Sequence, residues 1–379
     1  MCHYLAWDAD HPTVCPSSRI PGRVGSCLPR QFPAQPDHLF RNDGGRFVDV
    51  TDVAGIKDRE GRGLGVVAAD FDGDGWTDLY VANDQSANDL FHNLGGLKFE
   101  ESGFAAGAAC SADGVFRAGM GVACGDLDGD GHPDLAVTNF YRESSTLFHN
   151  LGDGTFADYT HASGLAGPSL FRLGFGIALF DANQDGWLDL AATNGHVTDE
   201  RPEIPYQMPS LLLLGGPNGR LTDVTEAAGP SWTREIVGRG LAVGDLDNDG
   251  RLDVLIVPQN APLILARNVT AGGHFVVVRL EGSPSNRDAV GAKVTVRAAG
   301  RGRVSWRVGG GSYQSSSDPR LHFGLGASSR IEELRVDWPS GRIDTYSDLR
   351  ADTGYHVREG AKAPSALAGY SRVGTAGKP

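Results

Sequence analysis

Asp70, Asp72, Asp74 and Asp78 stand at positions one, three, five and nine of the stretch DFDGDGWTD, with Gly75 at position six. Carboxylates at alternate positions of a sharp turn converge, and two of them ~4 Å apart repel by about 4 kcal/mol at an effective dielectric near 20. A cation relieves that repulsion. Calcium fits, because its flexible shell of roughly six to eight oxygens accepts carboxylates and backbone carbonyls alike. The pattern returns as DLDGDGHPD, with Asp126, Asp128, Asp130 and Asp134, and as DANQDGWLD, with Asp181, Asn183, Asp185 and Asp189. The fourth copy is DLDNDGRLD, with Asp245, Asp247, Asp249 and Asp253. Position seven is occupied by Trp76, His132, Trp187 and Arg251 in turn. So varied a set is expected to offer its backbone carbonyl to the ion.

These stretches open like the loop of a helix-loop-helix calcium site but close with Asp at position nine, not Glu at position twelve. The flanks read as strands: Gly65–Ala69 before the first loop and Leu79–Ala82 after it are small and β-branched. An Asp/Gly hairpin without any ion is the competing explanation for one copy. Four copies, each with Asp or Asn at the four ligand positions, exceed what turn chemistry asks for and favour metal in at least one. The third loop, with Asn183, is the weakest.

The elements that hold these loops repeat with them. Each unit reads as strand, acidic loop, strand, turn, a third strand of the type LFxN, a Gly turn and a fourth of the type FxDxT. The first aspartates fall at 70, 126, 181 and 245. A spacing near 56 with four strands per unit predicts an all-β fold, a β-propeller that is either incomplete or built of fewer blades, over residues 37–270. A β-helix solenoid would repeat over fewer residues and ranks second. Paired glycines precede every loop (Gly63 and Gly65, Gly119 and Gly121, Gly174 and Gly176, Gly238 and Gly240), as expected where strands crowd. His92 and His149 share a repeat position with Arg41 and Arg267, which reads as framework and not as a catalytic base. The insertion 194–210 offers His196, Arg201 and Tyr206 as surface recognition candidates.

Residues 1–36 show no periodicity. Beyond 270 the repeat stops, and alternating strands such as HFVVVRLEG predict a small β domain over 271–358, with a disordered tail over 359–379. The chain has 379 residues, 53 Gly, 20 Pro and a net charge of −13, which argues against nucleic acid. No run of apolar residues is long enough for a membrane span, and the N-terminus does not read as a signal peptide. Among five cysteines, Cys15 and Cys27 could pair or remain unremarkable thiols; no spacing points to zinc. Nucleophile-elbow, zinc-protease, dinucleotide and P-loop motifs are absent.

The loops with their glycine approach and their LFxN and FxDxT strands resemble FG-GAP (VCBS-type) repeats, as in integrin α-subunit propellers. SNRDAVGAKVTV (285–296), GGGSYQSSSDPRLHFGLG (309–326) and VDWPSGRI (336–343) resemble the ASPIC/UnbV domain. Together they resemble the cartilage-acidic-protein-like (CRTAC) family, whose bacterial members include proteins encoded with enediyne biosynthesis genes. The resemblance implies up to four Ca²⁺, no agreed catalytic residue, an extracellular or periplasmic setting, and further acidic repeats ahead of the segment 26–45. It leads us to expect a calcium-stabilised interaction or adhesion protein with a protein or glycan partner. The alternative is an enzyme or accessory protein of specialised-metabolite biosynthesis. Ser285, Asn286, Arg287, Asp288, Ser312, Tyr313, Ser316, Asp318 and Arg320 match the C-terminal motif, where turn and strand-pairing roles are expected.

Overall fold

The structure, a computed structural model, describes residues 1–16, 22, 24–25, 27–57 and 60–370. It is all-β, built of several antiparallel sheets. Repeat 1 forms Gly63–Ala69, Asp78–Asn83, Asp89–Asn93 and Phe99–Glu101, hydrogen-bonded in that order. Repeat 2 (Val122–Gly125, Asp134–Val137, Thr146–Asn150, Phe156–Asp158) and repeat 3 (Gly174–Phe180, Asp189–Asn194, Leu211–Gly216, Arg220–Asp223) copy that order. Repeat 4 has three strands, Gly238–Gly244, Asp253–Pro258 and Ile264–Ala266. A separate hairpin, Phe40–Asp43 with Arg46–Asp49, is the LFxN and FxDxT pair that precedes repeat 1.

Strand periodicity explains the stacking. Neighbouring residues point to opposite faces of a sheet, and in repeat 2 Val122, Leu135 and Phe148 pack with Val67, Tyr80 and Leu90 of repeat 1. The alternate residues Ala123, Ala136 and Leu147 pack with Ile177, Leu190 and Leu211 of repeat 3. Ala178, Ala191 and Leu212 then meet Leu241, Val254 and Ile256 of repeat 4. Both faces of the inner sheets are covered, so their strands read as nearly continuous apolar runs.

The crowding expected of the paired glycines is present. A Cβ on Gly65 would stand 2.5 Å from Met120 O, one on Gly121 2.1 Å from Phe175 O, and one on Gly176 2.5 Å from Leu241 N. Each backs onto the chain at or beside the opening strand of the next repeat. Any side chain there would push two sheets apart.

Beyond the repeats, Val276, Val278, Val294, Val296, Leu334, Val336 and Trp338 form one core between two four-stranded sheets. One sheet runs Leu321–Gly326, His274–Glu281, Thr353–Arg358, Ser365–Ala366; the other runs Arg301–Trp306, Lys293–Ala298, Arg330–Asp337, Ile343–Arg350. Residues 359–370, read from composition as part of a disordered tail, are ordered against this sheet. Ser365 and Ala366 pair with His356 and Tyr355, and the Tyr370 ring is buried near Phe275. An aromatic near the end of a small, polar stretch was outweighed by the average composition. The rest of that tail, 371–379, lies outside the described residues. Cys15 and Cys27 are joined in a disulfide.

The C-terminal unit reaches back into the repeats through residues 309–318. Gly309 and Gly310 pair with Ala68 and Val67 of repeat 1. Ser312 exchanges backbone hydrogen bonds with Val122 of repeat 2, while its Oγ accepts from Ile177 N (3.2 Å) and donates to Leu241 O (2.8 Å). The hydroxyls of Ser315 and Ser317 accept from Leu241 N and Val243 N of repeat 4, both at 3.1 Å. One segment thus touches the opening strand of all four repeats.

Candidate metal centres

Each acidic loop joins the end of an opening strand to the start of the second, and one hydrogen-bond scheme shapes all four. Position-one carboxylates Asp70, Asp126, Asp181 and Asp245 accept from the position-six amides of Gly75, Gly131, Gly186 and Gly250, at 2.8–3.1 Å. Position-five Asp74, Asp130, Asp185 and Asp249 accept from the amides of Trp76, His132, Trp187 and Arg251. At position nine, Asp78, Asp134, Asp189 and Asp253 each bridge two elements. One oxygen accepts from position two of the loop (Phe71, Leu127, Ala182, Leu246), the other from the third strand (Asn93, Asn150, Gly215) or, in repeat 4, from Asn268 just beyond it. Position six takes a positive φ in every loop, 85–91°, which glycine alone adopts at little cost.

The carboxylates converge. Oxygens of Asp70, Asp72 and Asp74, of Asp126, Asp128 and Asp134, and of Asp245, Asp247 and Asp249 lie within 4.8 Å of one another. These clusters are positioned to coordinate a metal ion, and their hard oxygens suit a divalent cation. In the third loop the Asn183 amide turns toward Asp185 (3.0 Å) and accepts from the Asp185 amide (3.1 Å). That loop has a side-chain amide where the others have a third-position carboxylate.

Charge crowding is visible in the titration of these groups. Burial, aided by Asp72, pushes Asp78 up to about 6. Burial with Asp134 nearby raises Asp126 to about 7, and burial with neighbouring loop carboxylates raises Asp181 and Asp189 to about 7. In loop 4, burial also raises Asp245 and Asp249, but Tyr370 and Arg320 oppose it at Asp245, and Arg251 opposes it at Asp249.

The position-seven side chains point elsewhere. Trp76 is 52% exposed and lies against Gly95. The His132 ring covers Gly152, and Trp187 carries the Arg301 guanidinium 3.5 Å above its ring. Arg251 instead pairs with Asp249.

Sequence reasoning set aside the third-strand position that matters here. His92 Nδ1 lies 3.2 Å from Asp72 and 3.3 Å from Asp78; His149 Nδ1 lies 3.4 Å from Asp128 and 3.1 Å from Asp134. His149 is raised to about 9, chiefly by its bond to Asp134. The signal was available: the next residue in each strand holds the position-nine Asp, which brings this slot to the loop.

Of the insertion candidates, Arg201 is exposed, bonded to Asp199 and placed 5.9 Å from the Tyr206 ring centroid. His196 is buried between Phe140 and Tyr141 and is not a surface group. In the C-terminal motif, Ser312 and Asp318 bond strands of the repeats, and Arg320 reaches Asp245 O and Asn248 Oδ1. Ser285 donates to Glu359, and Asn286 closes the turn to Val290. Lys293 donates to Gly131 O and Arg301 to Gly186 O, both at 3.1 Å, so the C-terminal unit rests on the acidic loops.

Repeated acidic-loop sheets followed by such a unit define a class. FG-GAP-like repeat models match residues 32–81, 70–137 and 126–192, and the ASPIC and UnbV model matches 282–364. The chain carries FG-GAP-like repeats and an ASPIC/UnbV domain, and it is homologous to the cartilage-acidic-protein-like (CRTAC) proteins. It is 27% identical over 375 residues to Cartilage acidic protein 1 of Xenopus tropicalis, covering 82% of this chain and 57% of that protein. With the human protein of that name it is 27% identical over 378 residues, covering 81% and 55%. The chain therefore spans little more than half the length of these relatives. Among solved structures, an Agrocybe aegerita lectin described as recognising terminal N-acetylglucosamine matches at 15% identity and a TM-score of 0.35, over 83% of this chain and 75% of that one. The V. cholerae biofilm matrix protein Bap1 matches at 15% and 0.30, over 81% and 62%. Superpositions this loose carry no argument about ligands.

Proposed function

We propose that this chain is a calcium-stabilised β-propeller protein that binds a protein or glycan partner and is not an enzyme. The stacked sheets are its blades, the acidic loops hold Ca²⁺ at one end of the stack, and the opposite end offers the binding face. The observation that carries this reading is the convergence of three carboxylates in loops built to one hydrogen-bond scheme on a rigid stack of sheets. Without a cation, buried like charges so close together oppose folding. When bound, the ion supplies positive charge and fixes the turn; Asp72, Asp74, Asp128 and Asp130 would hold it, while Asp78 and Asp134 tie it to two strands.

The topology supports this placement of the binding face. Segments after each second strand emerge at the end away from the loops, where Phe171 is 59% exposed beside Tyr141 and Arg142 lies 5.7 Å from the Tyr141 ring centroid. Arg201 and Tyr206 belong to the same end. Aromatic rings with adjacent guanidinium groups suit sugar faces and protein hot spots. The Cys15–Cys27 disulfide agrees with an oxidising extracellular or periplasmic setting. No helix among the described residues is long and apolar enough to cross a membrane.

Thermal unfolding in EGTA, millimolar Ca²⁺ and millimolar Mg²⁺ tests the metal. Calcium at about 100 times its dissociation constant adds roughly 2.7 kcal/mol per site, so a rise of several degrees specific to calcium is expected. Equal midpoints in all three buffers would end the calcium reading. Glycan-array binding that survives Phe171→Ala with Tyr206→Ala would remove the proposed face.

A further inference from the structure

The four loops share their backbone but not their nearest cation. In the third-strand slot facing the loop stand His92, His149, Leu214 and Arg267; at position seven stand Trp76, His132, Trp187 and Arg251. Only repeat 4 places arginine in both. There the Arg267 guanidinium pairs with Asp247 and comes within 3.9 Å of Asp249, while Arg251 pairs with Asp249 and donates to Asn268 O (2.9 Å). Arg320 of the C-terminal unit closes the same loop from its other side, donating to Asp245 O (2.8 Å) and Asn248 Oδ1 (2.7 Å).

We infer that Arg251 and Arg267 are the resident counter-charge of loop 4, which therefore takes no calcium, so that cation binding is confined to the other loops. The inference rests on the calcium reading above. A guanidinium cannot deprotonate to make room for an ion. It offers only donors, so it can coordinate nothing itself. A divalent cation entering loop 4 would have to displace both groups from the third- and fifth-position carboxylates that it needs as ligands. The imidazoles beside loops 1 and 2 impose no such block, because an imidazole, unlike a guanidinium, has a ring nitrogen that can itself serve as a metal ligand.

The test counts ions on the full chain, stripped with EGTA and dialysed to equilibrium against radioactive Ca²⁺. Asp247→Asn with Asp249→Asn is expected to leave the number bound unchanged, whereas Asp128→Asn with Asp130→Asn lowers it by one. Arg251→Gln with Arg267→Gln is expected to raise it by one; Arg267 is 60% exposed, so its replacement spares the fold. Loss of one ion in the loop 4 aspartate variant, or no gain in the arginine variant, overturns the inference while leaving calcium in place. No ion on any of these proteins overturns the calcium reading itself, and this inference with it.

Discussion

Loops 2 and 4 have the same turn, the same position-nine clasp and three converging carboxylates each, yet they differ in what stands opposite the charge. Loop 2 faces His149 at 3.1 Å from Asp134. Loop 4 is gripped by Arg251, Arg267 and, from the C-terminal unit, Arg320. By the inference above, a backbone scheme shared by all four loops does not fix whether a loop needs an ion. The side chains supplied by the neighbouring strand and domain decide that, because they determine whether the carboxylates are already neutralised.

The largest effect expected from this contrast is at position nine. Asp134→Ala removes the acceptor for two backbone amides, Leu127 N and Asn150 N, in a buried site. At about 1–3 kcal/mol for each donor left unsatisfied, it should cost about 3 kcal/mol in urea unfolding even in EGTA. Its partner change Asp128→Asn should cost stability only in calcium. Equal losses from Asp128→Asn in both buffers would mean that loop 2 is an empty turn.

pH separates the loops next. A carboxylate whose folded pKa lies above its ordinary value binds more protons folded than unfolded between the two, so stability falls as pH rises through that window. For Asp126, Asp181 and Asp189 the window runs from the ordinary 3.8 to about 7, and each pKa unit corresponds to about 1.4 kcal/mol. The metal-free chain should thus melt higher at the acid end of this window than at neutral pH, and millimolar calcium should abolish or reverse the difference. A metal-free chain that gains stability across the same window would contradict the crowding of these loops.

The smallest effect concerns the imidazole. His149 is raised from 6.5 to about 9, so its contribution is complete below the lower value and disappears as pH rises through the upper one. His149→Leu, which installs the type of residue repeat 3 carries, should lower metal-free stability by about 1 kcal/mol at neutral pH and enlarge the increment from calcium. An unchanged increment, measured by titration calorimetry, would show that the imidazole does not compete with the ion.

Much of this was legible before any coordinates. The loops, their turn glycines and the apolar strands announce themselves locally, because turn chemistry and period-two patterning act over a few residues. The glycines at 65, 121 and 176 could be read as points of crowding, since nothing else explains a missing side chain within a strand. His92, His149 and Arg267 escaped because their significance lies in the register of a third strand against a loop, which no local pattern encodes. The ordering of 359–370 was hidden by composition, and the motif containing the serines of 309–318 suggested turn and strand-pairing roles without showing that their hydroxyls serve the opening strands of repeats 3 and 4.

That serine-rich segment has a consequence for the birth of the protein. Its contacts with Ala68, Val122 and Ile177 close separations at least as long as the 135 residues between Ile177 and Ser312, and non-local closure slows folding. During synthesis the four sheets emerge first, with backbone amides of their opening strands still lacking the partners that Gly310, Ser312, Ser315 and Ser317 will bring. A ribosome stalled before residue 309 would hold a stack of sheets with open hydrogen-bonding groups, a state prone to pairing with its neighbours. Completion of the C-terminal unit is thus the step that closes the nascent repeats to other chains.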